Sequence, residues 1–376
     1  MFGRGIKLFR LFGFEIRLDW SWLIIAALLT WSLARGVFPV YYRGLSNATY
    51  WWMGAAGTLG LFVSIVLHEL GHSLVARRFG LQMRGITLFI FGGVAQMSGE
   101  PPNPRAEFFT AIAGPAVTVV LAGLFFGLTA WSNSGNWPIT ATAVLSYLAW
   151  INCALLAFNL VPAFPLDGGR VLRSALWAWK RNLRWATRIA SNLGAFFGLL
   201  LMGWGVFVFL FGNFVNGMWC FLIGLFIRHA SQASYQQMLL REVLAGEPVS
   251  HFMTRDPVTV APSDSVKSIV DHYLYRYPYR FYPIVENGEL QGCVSIDRIK
   301  MLPREQWEQS TAQSVAVPCS TENMIGPDAD ATEALTTMSR NHAGRLMVVD
   351  HGHLVGIVAL KDLLNFLSRK LEFEPG

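Results

Sequence analysis

The sequence predicts a membrane all-α fold: a six-transmembrane-helix bundle with a short membrane-embedded β-hairpin, followed by a cytosolic α/β pair. Three observations carry this expectation. Only 14% of the 376 residues are charged and 53% are hydrophobic, where a soluble domain is about 25% charged. The shortage is uneven: acidic residues are rare between Trp20 and Ile227, and composition turns ordinary after a boundary near residues 235–250. The basic residues of the first part sit in short loops between apolar runs.

Those runs lie near 19–36, 53–76, 106–130, 140–165, 190–211 and 213–230. Each is long enough, or nearly so, for a hydrocarbon core that takes about 20 helical residues. The fourth is interrupted, and a tight turn at Gly212-Asn213 separates the last two. With the N-terminus in the cytosol, the inside segments hold Arg4, Lys7, Arg10, Arg17, Arg77, Arg78, Arg84, Arg105, Arg170, Arg173, Lys180, Arg181, Arg184 and Arg188. The outside segments hold only Arg35 and Arg43. The positive-inside rule sets this orientation, and an even number of spans returns the C-terminus to the cytosol. A multi-pass protein of the bacterial cytoplasmic membrane is the expectation. The net charge of +6 is thereby accounted for without a nucleic-acid partner. Met1 to Arg17 has no apolar stretch ending in a cleavage signal, so it does not read as a removed signal peptide. The four cysteines show no paired spacing, hence no disulfide framework and no cysteine metal site.

Gly85–Met97 fits neither loop nor span. Thr87, Phe89 and Phe91 alternate with apolar neighbours and Gly92-Gly93 punctuate the run, which reads as a short strand pair or re-entrant hairpin. Non-helical backbone at membrane depth is tolerated only beside protein or a wet cavity, so the hairpin is expected against a site. There it can pair with an extended peptide by strand addition, which makes Gly92 and Gly93 candidate substrate-binding residues. Beyond the membrane part, residues 251–300 and 321–368 repeat one plan. Phe281–Val285, Asn287-Gly288 and Gly292–Ser295 recur about 64 positions later as Arg345–Val349, His351-Gly352 and Gly356–Ala359. Each copy reads β-α-β-β-α.

The second apolar run contains His68-Glu69-Leu70-Gly71-His72. Positions i and i+4 share a helix face, so both imidazoles can bind one metal, with Glu69 close enough to work on its water. Zinc suits these ligands and keeps a position open for water, whose proton Glu69 takes and passes on. An ionisable group at mid-bilayer costs about 2.5–3.5 kcal/mol, and a purely structural helix has no reason to carry three. The third ligand is sought in Asn159-Leu-Val-Pro162-Ala-Phe-Pro165-Leu-Asp167-Gly168-Gly169. Its prolines break the helix, its glycines permit unusual backbone angles, and Asp167 falls on the unwound stretch. An N-cap role over Gly168–Lys180 is the competing reading of Asp167. Asp19, Glu100, Glu107 and His229 are the weaker alternatives as ligand.

These two motifs, on separate spans, resemble the site-2 protease family of intramembrane zinc metalloproteases over roughly residues 10–230. Phe91-Gly92-Gly93-Val-Ala is similar to that family's membrane-embedded hairpin, and Gly114-Pro115 to its Gly-Pro on the next helix. The resemblance implies His68, His72 and Asp167 as zinc ligands and Glu69 as general base. It also implies that Asn159 and its neighbours, Pro162 among them, hold an unwound substrate segment. Thr118 stands where the family often has Asn. The C-terminal repeats resemble a pair of cystathionine-β-synthase (CBS) domains, which often bind adenine nucleotides through a Ser/Thr and an Asp three residues later. Here the first copy has Ser295 but Arg298, and the second Asp362 but Ala359, so each half-motif is incomplete. The expected domains are 1–235 for the protease and 245–310 and 311–376 for the two CBS copies.

The function expected is hydrolysis of peptide bonds in transmembrane protein substrates within or near the bilayer, modulated by the CBS pair. One zinc per chain, an adenine nucleotide, and a homodimer or higher oligomer through the CBS copies complete the expectation. A CBS-regulated transporter and a catalytically silent metal-binding scaffold remain as alternatives. The first half of the membrane part shows no repeat in the second, and an intact Glu69 weighs against the scaffold.

Overall fold

The basic N-terminal segment forms strands. Phe14, Ile16 and Leu18 are buried while the alternating Glu15 and Arg17 pair with each other at 2.8 Å, the period-two pattern of a half-buried strand. In the computed structural model, residues 6–81, 83–89, 92–97, 100–212, 214–277, 279, 281–341 and 343–373 are described. The chain divides into two units, Met1–Gln236 and Gln237–Gly376.

In the first unit β1 (Ile6–Leu11) and β2 (Phe14–Leu18) form a hairpin. The apolar stretch α1 (Ser21–Ser32) runs through a π turn into α2 (Phe38–Tyr41), and α3 (Asn47–Arg78) follows. Next come β3 (Met83–Phe89), β4 (Gly92–Met97), α4 (Pro104–Ser134), α5 (Ile139–Asn159), α6 (Asp167–Lys180), α7 (Leu183–Leu210) and α8 (Phe214–Leu244), whose residues from Gln237 on belong to the second unit. The strand pair expected over 85–97 is part of a larger sheet of order β1-β2-β3-β4. Its strands β3 and β4 are antiparallel, and β2 lies parallel to β3 from Glu15↔Gly85 to Leu18↔Leu88. Phe91 of the expected hairpin and Asn213 of the expected turn lie outside the described residues.

Among the described residues five helical segments are long and apolar enough to cross a membrane: Ser21–Tyr41, Asn47–Arg78, Pro104–Ser134, Ile139–Asn159 and Leu183–Leu210. The sixth apolar run of the sequence falls at the start of α8, which continues as one helix to Leu244. Only 17% of the most apolar window of α7 is buried within the chain, as expected of a surface facing lipid. Helices α7 and α8 meet along two glycine pairs. A Cβ on Gly198 would lie 2.6 Å from the Gly224 carbonyl oxygen, and one on Gly205 2.7 Å from that of Gly217. Small residues let two backbones touch in this way.

The interruption of the fourth apolar run is a loop, 160–166, with a cis Phe164-Pro165 bond. Gly168 and Gly169 do not serve unusual backbone angles, as the sequence suggested; both are helical residues of α6. Their role is space. A Cβ would fall 2.2 Å from the Leu160 carbonyl oxygen at Gly168, and 2.2 Å from the Phe164 nitrogen at Gly169.

The second unit holds β5 (Thr254–Arg255), α9 (Val266–Ile269), β6 (Phe281–Glu286), β7 (Glu289–Ser295), α10 (Ile296–Met301), β8 (Met324–Ile325), α11 (Ala331–Asn341), β9 (Arg345–Asp350), β10 (His353–Ala359) and α12 (Leu360–Phe373). Its mixed sheet has the order β6-β7-β10-β9-β8, with β5 on β10. The two repeats superpose in their turns: Asn287-Gly288 and His351-Gly352 all have positive φ, which suits a two-residue hairpin. There are two cores, one around Tyr282, Ile284, Val294 and Ile299 of the first repeat, the other around Leu346, Val348, Val358 and Leu363 of the second, which also takes in Leu244, Val249 and Phe252.

Candidate metal centre

Helical spacing puts His68 and His72 on one face of α3 near its C-terminal end, with exposures of 5% and 4%. Asp167, 8% exposed, is the first residue of α6 and makes no side-chain cap there; Leu166 is the N-cap. Its carboxylate turns instead to the imidazoles. Asp167 Oδ2 lies 3.1 Å from His68 Nε2, Asp167 Oδ1 lies 3.2 Å from His72 Nε2, and the two Nε2 atoms are 3.1 Å apart. Among the described residues this is the cluster of three ligand-type side chains whose donor atoms lie within 4.8 Å of one another. A tetrahedral zinc with ligands at about 2.0–2.1 Å has ligand–ligand edges of about 3.3–3.4 Å, close to each of these three separations.

The proton positions follow from the outer ring nitrogens. His72 Nδ1 is 2.6 Å from the Thr110 carbonyl oxygen, which can only accept, so Nδ1–H donates and Nε2 keeps its lone pair. Thr118 Oγ1 donates to the Gly114 carbonyl at 3.2 Å and accepts from His68 Nδ1–H at 2.8 Å, with the same result at His68. Two imidazole lone pairs and a carboxylate then face one another in a buried space. Such a donor set is at rest only around a cation, and two imidazoles with a carboxylate are a zinc set. The residues present therefore fit the ion that the sequence implied.

Space for the centre comes from α4. A Cβ on Gly114 would stand 2.2 Å from His72 Nε2 and 2.7 Å from His68 Nε2, so only glycine lets α4 approach. Glu69, between the two histidines, lies under β4: a Cβ on Gly93 would be 2.7 Å from Glu69 Cγ. Gly92 is the first residue of the same strand. Asn159 ends α5, and Pro162 is exposed in the loop that leads to Asp167.

The nucleotide candidates are arranged differently. Ser295 ends β7 and caps α10, accepting from the Arg298 N–H at 3.4 Å. Asp362, in the first turn of α12, accepts from the Ala359 N–H at 3.2 Å. Strands β7 and β10 are antiparallel and meet at their first residues, Glu289↔His353, so Ser295 and Ala359 lie at ends that point apart. Sequence reasoning missed Thr110, which acts through its backbone oxygen and leaves no residue signal. It noted Thr118 only as a departure from a family pattern, although its place four residues after Gly114 puts it on the face toward His68.

Peptidase family M50 matches residues 56–137 and 132–202, and the CBS domain matches 249–303 and 318–369. The zinc metalloprotease MJ0392 of Methanocaldococcus jannaschii is 31% identical over 373 residues, covering 97% of this chain and 96% of that one. Rip3 of Mycobacterium tuberculosis is 31% identical over 366 residues, covering 97% and 93%. Among solved structures, the site-2 protease from Methanocaldococcus jannaschii aligns with 30% identity and a TM-score of 0.42, over 61% of this chain and 94% of that one. The chain thus belongs to peptidase family M50, the site-2 proteases, as an integral-membrane zinc metalloprotease that carries a pair of CBS domains.

Proposed function

We infer that His68, His72 and Asp167 hold the catalytic zinc and that Glu69 is the general base. The observation that carries the reading is the convergence of the donor atoms: one Asp167 oxygen lies 3.1 Å from His68 Nε2, the other 3.2 Å from His72 Nε2, the two nitrogens are 3.1 Å apart, and both Nδ1 atoms are already engaged. When bound, zinc supplies a water of lowered pKa and polarises the scissile carbonyl. Glu69, one residue from His68 and held beneath Gly93, takes the proton from the attacking water at its carboxylate and returns it to the leaving amine.

The substrate is a transmembrane protein whose helix must open before a carbonyl can be reached. Strand β4 lies at the end of the sheet order among the described residues. An extended peptide adds to that edge by backbone pairing, which makes Gly92 and Gly93 substrate-binding residues. Asn159 and Pro162, on the segment entering the loop before Asp167, hold the unwound stretch. The membrane arrangement that goes with this reading has six spans, α8 supplying the sixth, a hairpin of β3 and β4 within the membrane, and both termini in the cytosol of a bacterial cell. Its support is the Lys and Arg distribution between the apolar runs. The domain limits are 1–235, 245–310 and 311–376. Ser295 and Asp362 contact an adenine nucleotide that modulates cleavage, and the CBS copies are the contact surface of a homodimer or higher oligomer.

The test compares wild type with Glu69→Gln, purified in detergent, for zinc content and for cleavage of a single-span substrate. Zinc in both, with kcat lowered about 10²–10⁴-fold in the variant, is the expected outcome for loss of a general base. Absence of zinc from both would defeat the reading.

A further inference from the structure

Helix α4 supplies no ligand to the triangle, yet one of its faces touches everything that aims the ligands. Glu107, Thr110, Gly114 and Thr118 are spaced i, i+3, i+7 and i+11, a single stripe of an α-helix. Thr118 engages His68 and Thr110 engages His72. Glu107, fully buried at 0% exposure, engages Arg173 of α6, itself 4% exposed. Arg173 Nε and Nη2 both lie 2.5 Å from Glu107 Oε1, and Nη2 also reaches Glu100 Oε2 at 3.4 Å.

Asp167 is on the same short helix as Arg173, six residues earlier, and follows directly on loop 160–166. Arg173 grips that loop as well. Its guanidinium carbon sits 4.9 Å from the centre of the Phe164 ring. The Phe164 backbone is fixed on its other sides, with N–H donating to Ala190 O at 3.3 Å and O accepting from Ser231 Oγ at 2.5 Å. A cation with two nitrogens on one carboxylate oxygen and its central carbon over an aromatic ring has little freedom. Moving α6 along or around its axis would break both contacts at once.

We propose that the buried Glu107–Arg173 pair is a positioning device for Asp167, so that α4 orients all three ligands: His68 through Thr118, His72 through Thr110, and Asp167 through Arg173. The inference rests on the zinc reading of His68, His72 and Asp167. A pair that merely fastens two helices needs no such link, because a well-packed apolar pair of similar volume holds helices equally well. The proposal differs from that in one measurable respect: replacing the pair changes the affinity of the folded protein for zinc.

The experiment uses the full chain in detergent and reads Zn²⁺ affinity by competition with a chelator, alongside helicity, thermal midpoint and kcat. Removing one partner alone strands a buried charge and endangers folding, so the variant is Glu107→Gln with Arg173→Met, which removes both charges together. The expected result is a folded protein whose Zn²⁺ affinity falls about 10–100-fold, the range for groups that orient metal ligands. Arg173→Lys keeps the charge without the two-nitrogen fork and should fall between the double variant and wild type. Unchanged affinity in a folded double variant overturns the proposal, even if its thermal midpoint drops. A double variant that fails to fold leaves the decision to Arg173→Lys, where unchanged affinity also overturns it. Asp167→Ala separates the two levels of argument. Zinc lost there and kept in the double variant defeats the positioning role alone, whereas a wild type that binds no zinc defeats the site reading beneath it.

Discussion

Asp167 lies 99 positions from His68 in sequence and 3.1 Å from it in space. Ser295 and Asp362 are closer in sequence, but they follow strands that start together and run apart. The metal centre is one site closed from three sides, and the CBS pair offers two half-sites that do not converge. The difference lies in what each region needs from its surroundings. Three lone-pair donors in a buried space are unstable without their ion, so every neighbour, from Gly114 to Thr118, is fitted to that ion. Ser295 and Asp362 already accept from backbone N–H groups beside them, Arg298 in α10 and Ala359 at the end of β10. They cost nothing when empty, and their geometry alone commits them to no ligand.

The sharpest way to break the contrast is to fill the space that the ion requires. Gly114→Ala would place a methyl carbon 2.2 Å from His72 Nε2, closer than any non-bonded pair tolerates. Either α4 backs away, taking Thr110 and Thr118 with it, or an imidazole leaves the triangle. We expect Zn²⁺ affinity to fall by more than about 100-fold, beyond the usual effect of a change outside the ligands, with cleavage at background. A chelator titration and metal analysis of the purified variant check it. Full zinc occupancy would mean that the triangle is looser than its distances indicate.

A smaller effect is expected at Gly93. Gly93→Ala would set a Cβ 2.7 Å from Glu69 Cγ, displacing the base without touching a ligand. Zinc content should stay at the wild-type level while kcat falls about 10-fold or more, since misplacing a catalytic group by about 1 Å costs up to 10²-fold. A parallel loss of zinc would show that β4 supports the histidines as well as Glu69, and would blur the separation between holding the metal and moving the proton.

How much of this was legible in the sequence depends on whether a residue acts by type or by place. His68, Glu69 and His72 are readable because helical spacing fixes their common face before any tertiary contact forms. Asp167 is readable because two prolines and two glycines mark a break in an apolar run, and few other acids compete. The glycines themselves mislead by type: their backbone angles are helical, and what they provide is room for the chain passing at 160–164. The N-terminal strands were hidden for a different reason. Phe14, Ile16 and Leu18 alternate plainly, but the basic residues around them also serve as orientation signals, and a strand's partner, here β3 some seventy residues on, is not written in the strand. The share of α4 in the centre was the least visible. A carbonyl oxygen at Thr110 and a missing side chain at Gly114 contribute no polar residue type to a motif, and Glu107 is named by the sequence only as a weak alternative for a ligand it does not replace.

The finest test of the contrast is in the CBS pair, where the expected effects are smallest. If Ser295 touches the ribose of a bound adenine nucleotide, Ser295→Ala loses one hydrogen bond, about 0.5–1.5 kcal/mol, and affinity for AMP or ATP drops about 2–10-fold in calorimetry on the full chain. The same substitution also removes a helix cap, which costs up to about 1 kcal/mol of stability in the second unit. The two effects are separable because the cap acts in the empty protein and the ribose contact only in the loaded one. A lowered thermal midpoint without nucleotide, combined with an unchanged dissociation constant, would assign Ser295 to α10 alone. Asp362→Asn gives the second half of the comparison. Its carboxylate accepts from the Ala359 N–H, an amide oxygen can do the same, and so stability should hold while a ribose contact weakens. Loss of nucleotide affinity in both variants would mean that the separated half-sites are each completed by the ligand, which is the one way in which the CBS pair could come to resemble the metal centre.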